Sequence, residues 1–282
     1  MTEQKTEQVS FSYDFEEVIN SIRHLKEVNI KATERGIEFF GVNESNTMMS
    51  EVLIDKEKLN KYNLSKEFQI TTDIDYIKIL KRFALVKAYI QENMMSFDKE
   101  NDVKINMPVF SKTTREKPIL NLKKAVSFDL SNTEVRKTLK DIESLGTDAF
   151  YLEFKDNRAV FTATGGYGIG GTEFTKILKP YDRGIQIYEK GQDSIKVYIS
   201  LELFRNALNG MSSKTRITLA ENSPIIVENT KSDYENPNKK VTHYIAPRYY
   251  EENKSDEEQM VEKDEETEEE KTDEEIEESE EE

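Results

Sequence analysis

Few residues in this sequence could carry out catalytic chemistry. The chain has no cysteine, which excludes thiolate catalysis, disulfides and cysteine-ligated zinc. Its two histidines, His24 and His243, are far apart in the sequence, so a histidine metal site is not expected. Carboxylate pairs are abundant, but they fall in predicted turns and in the C-terminal tail, with no histidine or cysteine beside them to orient a proton transfer. The sequence therefore favours a protein that is not an enzyme and uses neither a cofactor nor a metal.

A glycine-rich segment at residues 164–171 follows a predicted strand, as phosphate-binding loops do. Such loops must also open a helix whose N-terminal N–H groups meet the phosphate. Here residues 172–176 have the pattern of a strand, and no Gly-Lys-Ser or Gly-Lys-Thr is present. The segment therefore predicts a hairpin connection and not a nucleotide site.

Basic side chains recur on one side of four predicted helices. Apolar residues at helical spacing predict helices over about 14–27, 75–83, 132–145 and 201–211, the third capped by Asn132 and ended by Gly146. Their outward sides carry Arg23, Lys78, Lys81, Arg82, Arg136, Lys137, Lys140 and Arg205. A solvated charged face explains any one of these alone. If the helices lie together on one side of the sheets, however, the eight residues form a surface suited to phosphates contacted without sequence preference.

The net charge of −16 divides unevenly along the chain. Residues 251–282 carry 20 acidic and 3 basic side chains, whereas the remainder has 36 acidic and 37 basic ones. The tail has too few apolar residues to offset the entropy of ordering, so it is expected to be disordered. The folded body is therefore nearly neutral and can still present a basic surface.

The order of predicted elements repeats once. Each half has a helix, strands, a second helix and further strands, displaced by about 120 residues, and the strands have the pattern of antiparallel sheet. The fold class is therefore α+β. The expected domains are an N-terminal domain at 1–108, a connector at 109–124, a C-terminal domain at 125–250 and the tail at 251–282. No run of 18 apolar residues occurs, and the N-terminus is polar, so neither a membrane span nor a secretory signal is expected.

The connector is the least conventional segment. Pro108 and Pro118 bracket a polar run, yet the segment ends with Ile119, Leu120 and Leu122. Apolar residues on an extended segment are either packed onto their own domain or offered to a partner. The residues alone leave both interpretations open.

Five short segments occur in a fixed order along the duplicated plan: GIEFFGVN at 36–43, DYIKILKR at 75–82, PILNL at 118–122, NSPIIVE at 222–228 and VTHYIAPR at 241–248. Over about residues 9–250 they resemble the sliding clamps of the proliferating cell nuclear antigen family, and PILNL is most similar to archaeal members. The resemblance implies a DNA clamp fold with two like domains of two helices each. Three subunits would close into a ring, with sheets outside and helices around duplex DNA. Glu16, Glu17, the single Arg205 on the fourth helix and the long acidic tail depart from the family pattern.

The resemblance also implies how the protein works. A clamp of this family is not an enzyme; it tethers DNA polymerase, flap endonuclease and DNA ligase, which bind it through short motifs, and a clamp loader places it on DNA. Carried over residue by residue from the family, the pocket that receives these partner motifs would consist of Val42, Ile119, Leu120, Leu122, Pro224, Tyr244, Ala246 and Pro247. The strands at 103–107 and 173–178 would join neighbouring subunits.

Two alternatives to a homotrimeric clamp stay open at this point. One is a subunit of a specialised heterotrimeric clamp. The other is an acidic-tailed interaction scaffold such as a histone chaperone, whose basic helices are merely solvated. The expected location is the cytoplasm of an archaeal-type cell, or the nucleus if the host is a eukaryote.

Overall fold

The computed structural model describes residues 9–82, 86–90, 94–99, 103–110, 125–165, 171–181, 185–187, 194–211, 213–220, 223–230 and 239–248. Most of the predicted connector and the whole acidic tail lie outside these ranges. Ile119, Leu120 and Leu122 are therefore outside the described residues as well.

Strands make up most of the described structure. In chain order they are β1 (Val9–Tyr13), β2 (Glu27–Thr33), β3 (Gly36–Val42), β4 (Met48–Asp55), β5 (Asn60–Leu64), β6 (Phe68–Asp73), β7 (Val86–Ile90), β8 (Met94–Lys99), β9 (Val103–Pro108), β10 (Ala125–Ser131), β11 (Ala149–Lys155), β12 (Arg158–Thr164), β13 (Glu173–Leu178), β14 (Gln186–Ile187), β15 (Ser194–Ser200), β16 (Lys214–Ala220), β17 (Ile225–Asn229) and β18 (Lys240–Ile245). The α-helices are α1 (Glu16–Ile22), α2 (Ile74–Lys78), α3 (Asn132–Glu143) and α4 (Leu201–Leu208), and 3-10 helices occupy Lys56–Lys58 and Ile79–Arg82.

Within the described residues the strands form three antiparallel sheets. Their orders are β5-β1-β7-β8-β9, β14-β10-β16-β17-β18-β4-β3-β2-β6 and β13-β12-β11-β15. The long middle sheet runs through both halves of the chain, because β18 of the second half pairs with β4 of the first, from Lys240 opposite Leu53 to Ile245 opposite Met48. The predicted α+β class with antiparallel sheets is confirmed.

Two hydrophobic cores fill the space between sheets and helices. The first is built from residues of the first half and includes Val241, and the second is built from the second half and includes Met48. Among the described residues, each core thus has one fully packed member from the other half, contributed by the paired strands β4 and β18, and the half-buried Met211 packs against both cores. Residues up to Arg248 accordingly form one compact unit. The domain limits proposed from the sequence stay predictions.

The helices follow the predicted apolar spacing but differ at their ends. In α3 the buried residues Val135, Leu139 and Ile142 face the core, and Gly146 adopts a φ of 68° just beyond the helix. The capping residue is Ser131, whose hydroxyl accepts a hydrogen bond from the backbone N–H of Glu134, so the assignment of the cap to Asn132 was wrong. The other three helices are shorter than predicted. α1 ends at Ile22 because Glu27 already belongs to β2, α2 tightens into the 3-10 helix after Lys78, and α4 ends at Leu208.

Strand β5 was not predicted. Its sequence, NKYNL, is polar and largely exposed, and it lies at the edge of its sheet beside β1. Tyr62 and Leu64 of this strand are half-buried against the first core, but two apolar residues among five are too weak an alternation to predict a strand. The glycine-rich segment, by contrast, joins β12 to β13, which pair antiparallel as a hairpin requires.

The four helices form one contiguous row. α1 packs against the 3-10 helix Ile79–Arg82 on one side and against α4 on the other, and α4 packs against α3. The contact between α1 and α4 is close, since a Cβ at Gly210, where φ is 72°, would lie 2.1 Å from Oγ of Ser21. Helices of both halves therefore lie side by side, which is the arrangement that a shared phosphate-binding surface requires.

Candidate nucleic-acid interface

All eight basic residues predicted to bind phosphate are exposed on the row of helices. Lys78 ends α2, and Lys81 and Arg82 lie on the 3-10 helix that follows. Arg23 is the C-terminal cap of α1, Arg136, Lys137 and Lys140 belong to α3, and Arg205 lies on α4. The structure thus brings together residues from four separate parts of the sequence on one surface.

The lysines that follow β6 are already engaged with neighbouring side chains. Lys78 Nζ lies 2.8 Å from Asp75 Oδ1, and Lys81 Nζ donates to Asn20 Oδ1 at 3.2 Å and lies 3.9 Å from Glu16 Oε1. All of these groups are well exposed, so each pair contributes little to stability. The pairing nevertheless reduces the charge that the two lysines present to an external anion.

Acidic residues are interspersed with the basic ones on the same helices. They are Glu16, Glu17, Asp75, Glu134, Asp141, Glu143 and Glu202. Eight basic against seven acidic side chains make the helical surface as a whole almost neutral. Any strong attraction for phosphate must therefore come from local clusters and not from the average charge.

One such cluster lies between α1, α3 and α4. A cavity of about 370 Å³ is lined by Arg23, Arg136, Leu139, Lys140, Glu202, Arg205, Asn206, Leu208 and Asn209. The guanidinium of Arg136 donates to the carbonyl oxygen of Leu208, and that of Arg205 pairs with Glu143. Burial and the nearby charges of Arg23 and Arg205 lower the pKa of Arg136. We call Arg23, Arg136 and Arg205 the arginine cradle.

A second cavity, of about 440 Å³, adjoins the first. Its lining includes Arg23, His24, Asn43, Lys78 and, from α4, Glu202, Leu203 and Asn206. Arg23, Glu202 and Asn206 line both cavities. The two cavities therefore form a recess along the row of helices, and these three residues lie where the cavities meet.

The two histidines come together beneath this surface. His24 Nε2 and His243 Nδ1 each lie 2.7 Å from the hydroxyl of Ser50, and the ring centroids are 5.8 Å apart. Burial, with Arg23, lowers the pKa of His24 to about 4, and burial, with His24 and Lys239, lowers the pKa of His243 well below its usual range. Ser50 is fully buried on β4, so it cannot act as a nucleophile towards a substrate from solution. No local sequence pattern predicts this cluster, because it depends on the pairing of β4 with β18.

A buried lysine also links the two halves of the chain. Lys239, with a side chain only 5% exposed, lies 3.2 Å from Glu17 of α1. Burial lowers the pKa of Lys239, and Glu17 opposes that shift. A charged group this deeply buried needs its partner, so the ion pair fixes α1 to the start of β18.

The described part of the predicted peptide pocket lies on the other face of the middle sheet. Strand register places Val42, Met49, Tyr244 and Ile226 in one row across β3, β4, β18 and β17. Ala246 lies just beyond the paired part of β18, where its N–H donates a hydrogen bond to the carbonyl oxygen of Thr47 at 2.8 Å. Val42, Pro224, Tyr244, Ala246 and Pro247 are all half-buried. Prediction from the sequence missed Met49 and Ile226, which the strand register adds.

The two strands predicted to join subunits are edge strands. β9 ends the five-stranded sheet, and β13 ends the four-stranded one. On β13 most side chains are exposed, including Ile177 at 50%. Edge strands of this kind leave backbone N–H and C=O groups open to another chain.

Neither a metal-binding cluster nor a membrane-spanning helix occurs among the described residues. No group of three or more His, Cys, Asp or Glu side chains in this part of the chain is placed to hold a metal ion. No described helix is long and apolar enough to cross a membrane.

Comparison with known proteins finds similarity in structure only. None of the protein-family models compared with the chain matches it, and no curated protein matches it significantly in sequence. Among solved structures, proliferating cellular nuclear antigen (PCNA) from Entamoeba histolytica aligns with a TM-score of 0.70 at 17% identity, covering 86% of this chain and 100% of that one. PCNA from A. fulgidus, solved with the C-terminal region of FEN-1 bound, gives 0.72 at 18% identity over 86% and 100%.

A third structure is a complex of two different clamps. The PCNA2–PCNA3 complex from Sulfolobus tokodaii gives a TM-score of 0.66 at 17% identity, covering 85% of this chain and 99% of that one. In each case the whole of the known clamp, or nearly all of it, is matched at an identity too low to show more than the fold. The chain therefore has the fold of the PCNA sliding clamps.

Proposed function

We propose that this protein is a sliding clamp that encircles duplex DNA and tethers DNA polymerase and other replication and repair enzymes to it. One observation carries the proposal. On a PCNA fold, four helices from both halves form one row, and all eight basic residues predicted from the sequence are exposed along it.

Contacts of this kind suit a protein that slides. Lys and Arg side chains on a helical surface contact phosphates, which carry no sequence information. Each exposed pair contributes little, so the clamp can exchange one phosphate for the next without a large barrier. Retention on DNA then depends on topology and not on affinity. This role requires no catalytic group.

Ring closure would use the edge strands β9 and β13 of neighbouring subunits. In a closed homotrimer neither β9 nor β13 would be left as an open edge, so this pairing would limit aggregation at these two strands. The Sulfolobus tokodaii complex of two different PCNA chains makes a heterotrimer the second candidate. Light scattering on the purified chain separates the two, since a homotrimer has three times the mass of one chain.

Partners would bind the apolar row on the outer face of the middle sheet together with the connector. A half-buried apolar surface containing Tyr244 and Pro247 can accept an aromatic side chain at small entropic cost. DNA polymerase, clamp loader, flap endonuclease and DNA ligase are the proposed partners. Titration calorimetry with a peptide that carries a Gln, an aliphatic residue and two aromatics tests this site. Tyr244→Ala should weaken binding by about 1–3 kcal/mol, a typical cost for an interface anchor. Equal affinities would exclude the site.

Topological retention on DNA is the direct test of the proposed function. Protein loaded onto nicked circular DNA should survive a high-salt wash and be released when the circle is cut. Replacing Lys78 and Lys81 with glutamate serves as the surface-charge variant, which should load less well and stimulate polymerase less while keeping its mass. Equal release from circular and linear DNA by the wild type would contradict the proposal.

A further inference from the structure

A second row of side chains borders the apolar row on the outer face of the middle sheet. Strand register aligns Phe40, Glu51, Thr242, Glu228 and Arg216 across β3, β4, β18, β17 and β16. The first four of these residues each stand two positions along their strand from a member of the apolar row. Residues two apart in a strand point to the same face of the sheet. A peptide seated on the apolar row would therefore lie beside this second row as well.

Two carboxylates in the second row flank one residue. Glu228 of β17 and Glu51 of β4 lie opposite Thr242 of β18 on its two sides, so their backbones are two strand spacings apart, about 10 Å. The hydroxyl of Thr242 donates a hydrogen bond to Glu228 Oε1 at 3.2 Å. We call Glu51 and Glu228 the carboxylate pair. A cationic side chain of a ligand, placed above Thr242, lies within reach of both carboxylates.

The basic residues that adjoin Glu228 do not compete strongly for it. Arg216 donates two hydrogen bonds to Asp129, from Nε to Oδ1 at 2.8 Å and from Nη2 to Oδ2 at 3.1 Å. Lys240 Nζ lies 3.3 Å from Glu228 Oε1, but the Lys240 side chain is 61% exposed, whereas that of Glu228 is 24% exposed. An ion pair with so exposed a lysine contributes little, so a ligand cation can displace Lys240 at small cost.

An aromatic ring completes the surroundings of this position. Tyr244 lies two residues beyond Thr242 on the same face of β18 and is half-buried. A cation near the face of a tyrosine ring is attracted by the ring as well as by the carboxylates. Arginine suits the position better than lysine, because its planar guanidinium can bond two carboxylates at once, one along each edge.

We propose that the carboxylate pair selects partner segments that carry an arginine or a lysine beside their aromatic anchors. The proposal rests on the proposed function, since the segment is taken to occupy the apolar row. Both carboxylates are half-buried and are screened less by salt than exposed ones, so the selection persists at physiological ionic strength. The hydrophobic anchors still supply most of the affinity, and the carboxylate pair decides which partners bind best.

Titration calorimetry with a matched set of peptides tests the proposal. Every peptide carries the Gln, the aliphatic residue and the two aromatics, and at each remaining position in turn the set compares arginine with glutamine. At one position or more, the arginine peptide should bind the wild type about five- to tenfold more tightly, as expected for a charge-assisted bond to a half-buried carboxylate. Lysine at that position should give a smaller gain.

Glutamine variants of the protein locate the effect. Glu51→Gln and Glu228→Gln should each reduce the preference for arginine to about twofold or less, while the glutamine peptide binds as before. Glu38→Gln is the matched control, because Glu38 lies on the same face of β3 but one row farther from the apolar row. Lys240→Gln should strengthen the preference by about twofold, since it removes the competing cation from Glu228.

A charge swap distinguishes selection from a general loss of structure. In Glu51→Lys, a peptide with glutamate at the selected position should bind better than the arginine peptide, a reversal that a merely destabilised pocket would not produce. Urea unfolding of each variant is measured alongside.

The possible results separate this proposal from the proposed function. Equal binding of arginine and glutamine peptides, or a preference that survives in both glutamine variants of the carboxylate pair as it does in Glu38→Gln, would overturn the selection and leave the peptide site intact. Lower stability of Glu51→Gln with unchanged peptide preference would show that the chain itself uses this carboxylate, and would overturn the selection too. If no peptide binds the wild type, the peptide site fails and the selection with it, while retention on circular DNA still decides the clamp function.

Discussion

The buried histidine pair predicts that the protein loses stability in mild acid. His24 and His243 share the hydroxyl of Ser50 where α1, β4 and β18 meet, and His243 is fully buried while His24 is half-buried. The charged groups nearest them, Arg23 and Lys239, are both basic, so neither offers an imidazolium a counter-charge. Lowering the pH is therefore expected to unfold or loosen this part of the molecule.

The sign and size of the effect follow from the pKa of His24. Burial and Arg23 lower that pKa from 6.5 to about 4 in the folded protein. A depressed pKa means that the stability of the neutral ring is fully present above 6.5 and is lost as the pH falls towards 4. At pH 5 the loss from His24 alone is about 2 kcal/mol, at about 1.4 kcal/mol per pH unit below 6.5. His243 adds to the loss in the same direction.

Urea unfolding at several pH values between 7.5 and 5, at one protein concentration, measures this loss. Surface carboxylates titrate mostly below this window, so their contribution is small there. His24→Gln is the control variant, because its amide can still bond Ser50 but does not titrate. We expect its stability to depend less on pH than that of the wild type. Parallel pH profiles for wild type, His24→Gln and His243→Gln would refute the reasoning.

Three further predictions concern packing, assembly and the tail. Gly210→Ala should lower the free energy of unfolding by about 2–4 kcal/mol, because it combines a positive φ with a clash against Ser21, whereas Gly146→Ala, with a similar φ and nothing within 4 Å, should cost about 1 kcal/mol in the same urea experiment. Phe174→Pro on the edge strand β13 should give monomers in light scattering, and a particle of unchanged mass would place the interface elsewhere. Deleting residues 251–282 should raise DNA affinity at low salt and leave the melting temperature almost unchanged, so a large loss of thermal stability would show that the tail is docked.

Local patterns in the sequence predicted most of the fold. Helix α3 follows from Val135, Leu139 and Ile142 at helical spacing and from Gly146 at its end. Strand β13 has the bounds of the strand predicted at 173–178. The errors occurred where the local pattern is weak or overruled. Strand β5 has Tyr62 and Leu64 as its two apolar residues, and α1 is shorter than predicted because Glu27 pairs with Asp73 in the sheet.

The site was predicted only in part, because its geometry depends on contacts between distant residues. Outward positions on amphipathic helices identified the eight basic residues, since exposure follows from periodicity. Their ion pairs do not follow from it. Lys81 contacts Asn20, which lies 61 residues away, and Arg136 bonds a carbonyl 72 residues away. The histidine pair likewise needs the register of β4 with β18, which no local pattern encodes.

Besides the pairing of β4 with β18, several contacts between the two halves involve α1 and the turn after it, and this links stability to DNA binding. Ser21 packs against Gly210, Glu17 pairs with the buried Lys239, and the turn after the helix places the ring of His24 5.8 Å from that of His243. The same turn carries Arg23 into the arginine cradle, whose other two arginines belong to the second half. A change that shifts α1 relative to α4 must therefore move one guanidinium away from the other two. Gly210→Ala and mild acid are thus expected to weaken the contribution of the cradle to DNA binding before the protein unfolds, while Lys78 and Lys81, which belong to the first half alone, keep theirs.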